Sequence, residues 1–535
     1  MKKTLIALSL YSFMVGTSLA STSTSPESSN FLQNRYSDLA NLGMHGGQPT
    51  PTSQDALFAE SYFQRASMLY QWALPIVNME AMKEGHAKLM NGTSYNKIAV
   101  YEDRLKPNTI ITTPNSDVIY ALAWLNMKET GPLVIEHPAG LQSLMDDMYH
   151  QPLRGPLDEN QVHGQYLGDI GKAGPDKGKA AKFLILPPGY SRDQFKELSD
   201  EYFIYESNTS EVFLFLRSFF MDMDNLTPAV DRVKQTKVYP LKDGHGKKME
   251  FFELSDVPGD SIWKNDHTFY ETLDRAVQNM ELATFDPYMN GVMNAIGIRK
   301  GYKFEPTQEQ EILLDKAALT AWKISKNVAL NFDELSDPKI GDTWFWKDRP
   351  SWVAHALTNN GDQYNAVSDA YWRNMKTGYT NVNALLHMYT NAYSISSGMI
   401  NAKVKLGAKY AAAYKDSDHN PLIGSCNYSI NIPANVPVSL FWSVTAYDAA
   451  TAGGVNVKNH DWPSLGDRDH PVKNKDGSIT LFFGPTAPAN AAMAKKNWIQ
   501  FENESWFSLI RLYGPTKPFF DGEWKPGEFE KINCL

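Results

Sequence analysis

Between residues 97 and 255 short apolar runs alternate with clusters of Gly, Pro, Asn and Asp, and the same punctuation returns over the last 120 residues. The first stretch holds Val118 to Asn126, Leu133 to Glu136, Phe183 to Leu186 and Glu211 to Phe219. The second holds Asn427 to Ile432, Val438 to Tyr447, Ile479 to Phe483 and Trp506 to Tyr513, with the hairpin dipeptide Asp476-Gly477 among them. Runs of this length, rich in β-branched and aromatic residues and closed by turn formers, predict antiparallel β sandwiches or barrels. Gly164 to Lys182, poor in apolar residues and punctuated by glycines, reads as a long loop.

Helical spacing appears elsewhere. Phe58, Tyr62, Met68, Leu69, Trp72 and Ile76 recur on one face of a helix expected over 54–90, which Pro75 should kink or divide. Two Ala-rich blocks, 262–330 and 363–414, also read as helical. Between them, Trp344-Phe345-Trp346 and Trp352 read as a packing plug. The fold class expected is therefore α+β and multi-domain: two antiparallel β-sandwich or barrel-like modules joined by a helical middle region. The boundaries are 1–20 for a signal peptide, 21–55 for a flexible leader, 56–260 for a helix plus β module, 261–415 for the helical middle and 416–535 for the second β module.

Lys2 and Lys3, the apolar run Leu5 to Val15 and the small-residue end Ser18-Leu19-Ala20 have the layout of a secretory signal peptide. The run is too short to span a bilayer, and no later segment is span-length, so a periplasmic or secreted soluble chain is expected. At 535 residues there is room for about three domain-sized units. The net charge of -9 excludes a nucleic-acid partner, since no basic surplus neutralises phosphates. Two cysteines, Cys426 and Cys534, do not make a disulfide scaffold; they either pair, tying the C-terminus to a strand near 426, or remain separate thiols.

The two β stretches echo each other. Phe213-Leu214-Phe215-Leu216-Arg217 is followed by Phe219, and Phe507-Ser508-Leu509-Ile510-Arg511 by Tyr513. Each places an arginine at the end of an apolar strand, with an aromatic two residues on along the same face.

Further segments carry a resemblance. Thr113-Pro114-Asn115-Ser116-Asp117-Val118-Ile119-Tyr120, Gly131-Pro132, Leu186-Pro187-Pro188-Gly189-Tyr190 and the Arg217 strand are followed by Tyr414-Lys415-Asp416-Ser417-Asp418 and Phe441 through Asp448. Ser464-Leu465-Gly466-Asp467-Arg468, Asn497-Trp498, Arg511-Leu512-Tyr513 and Asp521-Gly522-Glu523-Trp524 complete the series. In order and spacing the chain resembles exported bacterial proteins with two domains of unknown function in tandem, DUF1254 followed by DUF1214. It departs from them at Pro187, where that family more often has Gly. The resemblance implies a multi-domain, β-rich, exported protein and brings no catalytic residues.

Candidate chemistry rests on a few groups. Asp117, beside Asn115 at a strand start, has the makings of a general base with an orienting carboxamide; the same residues also cap turns. Tyr120 and Tyr149 are expected ligand contacts. Trp442 and Asp448 share a strand face that suits a sugar or another polar ring, or else are a core tryptophan and a turn aspartate. Arg217 and Arg511 anchor an anion or pair with structural carboxylates. Asp416 to Asn420 opens like a calcium loop but has Pro421 and Asn427 where Gly and Glu are needed, so a polar turn is expected. His137, His150 and His163 match no ligand spacing, and the chain lacks zinc-helix, nucleophile-elbow and phosphate-loop motifs, so no metal or cofactor is expected. Two functions follow: a hydrolase using carboxylates on a polar small molecule or glycan, or a non-catalytic ligand-binding or envelope-associated protein, with a homo-oligomer compatible with either.

Overall fold

The structure, a computed structural model, describes residues 34–155, 168–244, 249–281, 286–331, 351–354, 382–400 and 403–535. The expected signal segment, His163 and Trp344-Phe345-Trp346 lie outside the described residues. The chain forms two compact units, Met1–Ser61 and Tyr62–Leu535. Within the first, a helical stretch over 34–40 precedes a small antiparallel pair, Met44–His45 with Gln48–Pro49, and Arg35 meets Glu60 at 3.4 Å.

Helix α1 (Pro51–Leu89) is one continuous helix through Pro75, so the proline does not divide it. The missing N–H costs one intrahelical bond. Burial of every residue from 73 to 80 holds the helix in place from all sides. Asn78 donates to the carbonyl of Ala392 at 3.1 Å, and Lys83 meets both Glu80 and Glu211 at 2.8 Å. The buried ammonium thereby ties α1 to a strand, β2 below, that starts at Glu211.

Two strands form the centre of the first β module, β1 (Ile119–Asn126) and β2 (Glu211–Ser218), paired antiparallel with Arg217 opposite Tyr120. The six-stranded sheet runs Phe251–Glu253, Ile98–Val100, β1, β2, Gln142–Asp147, Asp169–Gly171. Strand alternation decides which core each residue joins. Ile119, Ala121, Ala123 and Leu125 pack toward a four-stranded sheet made of Phe203–Glu206, Ala181–Leu186, Leu133–His137 and Lys237–Pro240. Tyr120, Leu122 and Trp124 face α1 and the helices of the middle region. Both faces are covered, which is why β1 is buried almost throughout.

The middle region supplies Thr268–Asn279, Pro287–Ala295, α2 (Gln308–Leu330) and α3 (Val382–Asn391). Its expected second block does not stay helical to 414: β3 (Ala408–Ala413) is a strand. Ala-Lys-Tyr-Ala-Ala-Ala favours a helix locally, but full burial between two partner strands overrides that weak preference. The second β module contains β3, β4 (Cys426–Ile432), β5 (Trp442–Asp448), β6 (Trp506–Tyr513) and β7 (Glu530–Cys534). One sheet runs Trp352–Ala354, β3, β6, β5, Ser464–Gly466, and the other runs Trp498–Ile499, Ile479–Phe483, β4, β7. They share one apolar core that includes Trp352, Trp442 and Trp506.

The outcome is a mixed helix-and-sheet, multi-domain fold with several sheets, and no closed barrel among the described residues. Pairing is mainly antiparallel, with parallel exceptions at sheet edges, as where Phe203–Glu206 joins Ala181–Leu186 through a crossover holding the 3-10 helix Arg192–Leu198. The expected loop over 164–182 carries an edge strand, Asp169–Gly171, opposite Gln142–Leu144. No helix among the described residues is long and apolar enough to cross a membrane.

Candidate functional site

The segment before β1 crosses directly onto the second β module. Thr113 has φ of +41°, an unusual conformation for a β-branched residue, and contacts on both sides fix it. Its N–H donates to Ala452 at 2.6 Å and its carbonyl accepts from Arg511 at 3.3 Å. The Tyr447 hydroxyl donates to the Pro114 carbonyl at 2.7 Å. Asn115 does two things: its carboxamide oxygen accepts the Asp117 N–H at 2.8 Å, closing the turn, and its nitrogen donates to the Tyr513 hydroxyl.

Asp117 is 2 % exposed, and both carboxylate oxygens are engaged. Oδ1 faces Arg104 at 3.5 Å and Arg468 at 3.6 Å, and Oδ2 accepts from Ser464 at 3.2 Å. Arg468 also donates to the carbonyls of Asp117 at 2.7 Å and Phe220 at 2.6 Å, and its guanidinium lies over the Phe441 ring at 3.5 Å. Arg104 donates to Ser116 at 2.6 Å and reaches Asp469 at 3.4 Å. Burial pushes the Asp469 carboxyl up and the Arg468 guanidinium down, and each partner's charge opposes that drift.

Beside this ionic knot lies an arginine-tyrosine cluster. In β6, Arg511 stands opposite Tyr410 of β3, as Arg217 stands opposite Tyr120. The two segments noted for their echo meet here: Phe219 and Tyr513 rings are 6.0 Å apart, edge to face. Arg511 donates to Thr445 at 2.9 Å, Thr445 to Ser464 at 3.0 Å, and Ser464 to Asp117, so two hydroxyls link the guanidinium to the carboxylate. The phenols of Tyr120 and Tyr393 both feel Arg217 and Arg511. Burial pushes both of these phenols up and raises Tyr447 to about 12, so all three stay protonated near neutrality.

The core around this cluster is sealed, yet Phe215 keeps 5 % exposure, Tyr120 6 %, Arg217 8 %, Tyr410 8 % and Tyr393 9 %. All five are buried with a small residual exposure, and they lie where the two modules meet. Phe215 sits 4.8 Å from Tyr120 and 5.7 Å from Tyr393, centroid to centroid.

Of the residues singled out in the sequence, Asn115, Asp117, Tyr120, Arg217 and Arg511 meet at the junction. Three others sit elsewhere. Trp442 is in the core of the second module. Asp448 closes a turn, accepting from Thr451 N–H at 2.8 Å and Asn503 at 2.8 Å. The Tyr149 hydroxyl donates to the Glu281 carbonyl at 2.8 Å. Asp416 accepts the Asp418 and Asn420 N–H groups at 3.0 and 2.9 Å, which is the polar turn expected. Arg104, Tyr393 and Tyr410 had no sequence signal, being scattered singly over three distant segments. Arg468, Tyr447 and Tyr513 lay inside quoted motifs without a role. Among the described residues no group of three His, Cys, Asp or Glu is arranged to hold a metal.

Two family models match the chain, each a "protein of unknown function": DUF1254 over residues 95–240 and DUF1214 over 407–517. No curated protein matches. Among solved structures, the VPA0106 protein from Vibrio parahaemolyticus aligns at 16 % identity and a TM-score of 0.49, over 89 % of this chain and 100 % of its own. A putative uncharacterized protein from Burkholderia cenocepacia aligns at 13 % identity and a TM-score of 0.38, over 97 % of this chain and 98 % of its own.

Proposed function

From a chain that carries a DUF1254 domain followed by a DUF1214 domain, we propose an exported protein that binds a small polar molecule in a recess where its two β modules meet. The observation that carries this reading is convergence. Arg217 and Tyr120 from one module, and Arg511 and Tyr410 from the other, supply polar groups to a single, nearly enclosed cluster that neither module completes alone. Binding sites favour such junctions, where an apolar lining is broken by a few placed polar groups.

Binding ranks above hydrolysis because of Asp117. A general base needs a lone pair directed at the reacting proton, and here both oxygens serve Arg104, Arg468 and Ser464. Export is supported by the N-terminal segment and by the Cys426–Cys534 disulfide, a bond that persists in oxidising compartments.

The test is to release and identify small molecules that co-purify with the full-length chain, then follow them by mass analysis during incubation with ligand-free protein. Binding predicts a saturable ligand recovered unchanged and weakened at least tenfold by Tyr120→Ala. Recovery of a product, abolished in a folded Asp117→Asn variant, would reinstate the hydrolase.

A further inference from the structure

We infer that the junction recess takes a small organic oxyanion, its charged oxygens between Arg217 and Arg511 and its apolar body against Phe215 and Tyr393. This rests on the recess being a binding site and adds what class of molecule enters it. The argument is an inventory of charge. Arg104 and Arg468 are matched within ion-pair distance by Asp117 and Asp469. Arg217 and Arg511 have no carboxylate within that distance among the described residues, although both are nearly enclosed.

Their hydrogen bonding is incomplete in the same way. Arg217 uses Nε for the Gln142 carbonyl at 3.2 Å, and its two terminal nitrogens find no acceptor among the described residues. Arg511, 3 % exposed, spends its terminal nitrogens on Thr445 and Thr113 and leaves Nε without a partner. The hydroxyls of Tyr393 and Tyr410 likewise make no hydrogen bond among the described residues. A buried guanidinium without a counter-ion is costly. Two of them beside two phenols whose hydroxyls make no hydrogen bond among the described residues call for an acceptor-rich anion. Guanidinium forks match carboxylate and phosphate oxygens in shape. The rings of Phe215, Tyr120 and Tyr393 offer an apolar surface that inorganic phosphate or sulfate would not use.

Titration calorimetry on the folded, oxidised full-length chain tests this with phenylacetate, 3-phenylpropionate and hexanoate, each against its carboxamide, and with phenyl phosphate. At least one carboxylate or the phosphate ester should bind at least about tenfold tighter than the neutral counterpart, the size of one charge-assisted hydrogen bond. Arg217→Gln and Arg511→Gln should each remove that preference. Tyr393→Phe, which deletes a hydroxyl at nearly constant volume, should weaken the anion severalfold in a chain of unchanged Tm, so the test survives if an arginine variant fails to fold. The ranking of carboxylate and phosphate arms identifies the headgroup. Carboxamides binding as tightly as carboxylates, or no saturable anion binding, overturns the proposal. A neutral ligand that co-purifies and depends on Tyr120 would leave the binding reading standing while ending this one.

Discussion

Asp117, which the sequence offers as a general base or a turn former, has both carboxylate oxygens engaged in the structure. Three groups from two β modules converge on it, and it accepts charge from two arginines that are otherwise out of water. Removing one member of a buried ion pair strands the partner's charge, which typically costs about 3–5 kcal/mol. Asp117→Ala should therefore lower stability by roughly that amount, measured by denaturant unfolding of the full chain. Asp117→Asn should cost less, because the carboxamide oxygen still accepts from Ser464 and one guanidinium. An Asp117→Ala variant as stable as the parent would remove the residue from the knot. The sequence offers Asp117 with Asn115, and Arg217 with Arg511, as separate candidates, and the structure brings them to one junction. The sequence had no means of dividing them between holding the modules together and facing a ligand, because that division depends on Arg104 and Arg468, which approach from segments 13 residues before and 351 residues after.

At the scale of elements, legibility follows local information. Strands 479–483 and 506–513 were readable to their ends, since apolar alternation and flanking turn residues are written into the segment itself. β3 was not: its alanines are helix formers, and only the strands on either side make it extended. The continuity of α1 through Pro75 was hidden for the same reason, being decided by what surrounds the helix. The cysteine pair was open in sequence because separation in space is not encoded in spacing; the structure joins Cys426 of β4 to Cys534 of β7 in register. The tail strand is exposed along its whole length, so the covalent bond is a main restraint on it. In the chain-entropy view, closing a 108-residue loop is worth roughly 4–5 kcal/mol. Cys534→Ser should lower Tm under oxidising conditions, and reductant should lower the parent to the same value without affecting the variant. A parent indifferent to reductant would show that β7 is held by its hydrogen bonds alone.

The two family domains are separate stretches of chain, yet within the Tyr62–Leu535 unit they are joined by buried charge and by a shared apolar core. Arg468 illustrates the coupling: one guanidinium donates to Asp117 and Phe220 and stacks on Phe441, contacts that belong to both domains. Interfaces between independent domains are usually more polar and allow relative motion. Here α1, β1 and the phenols of Tyr410 and Tyr513 share a single apolar core, so neither domain exposes its inner face without exposing the other's. Calorimetry of the full chain should give one cooperative transition spanning both domains. Arg468→Gln keeps some hydrogen-bonding capacity but removes the charge that answers Asp117, so it should lower Tm and, if the knot is the main coupling, split the transition in two. A single lowered transition would instead assign the coupling to the shared core, with the arginines tuning only its strength. That distinction bears on the recess. Two domains coupled through the core would hold Arg217 and Arg511 at a fixed separation before ligand arrives, whereas coupling through the knot alone would let that separation vary.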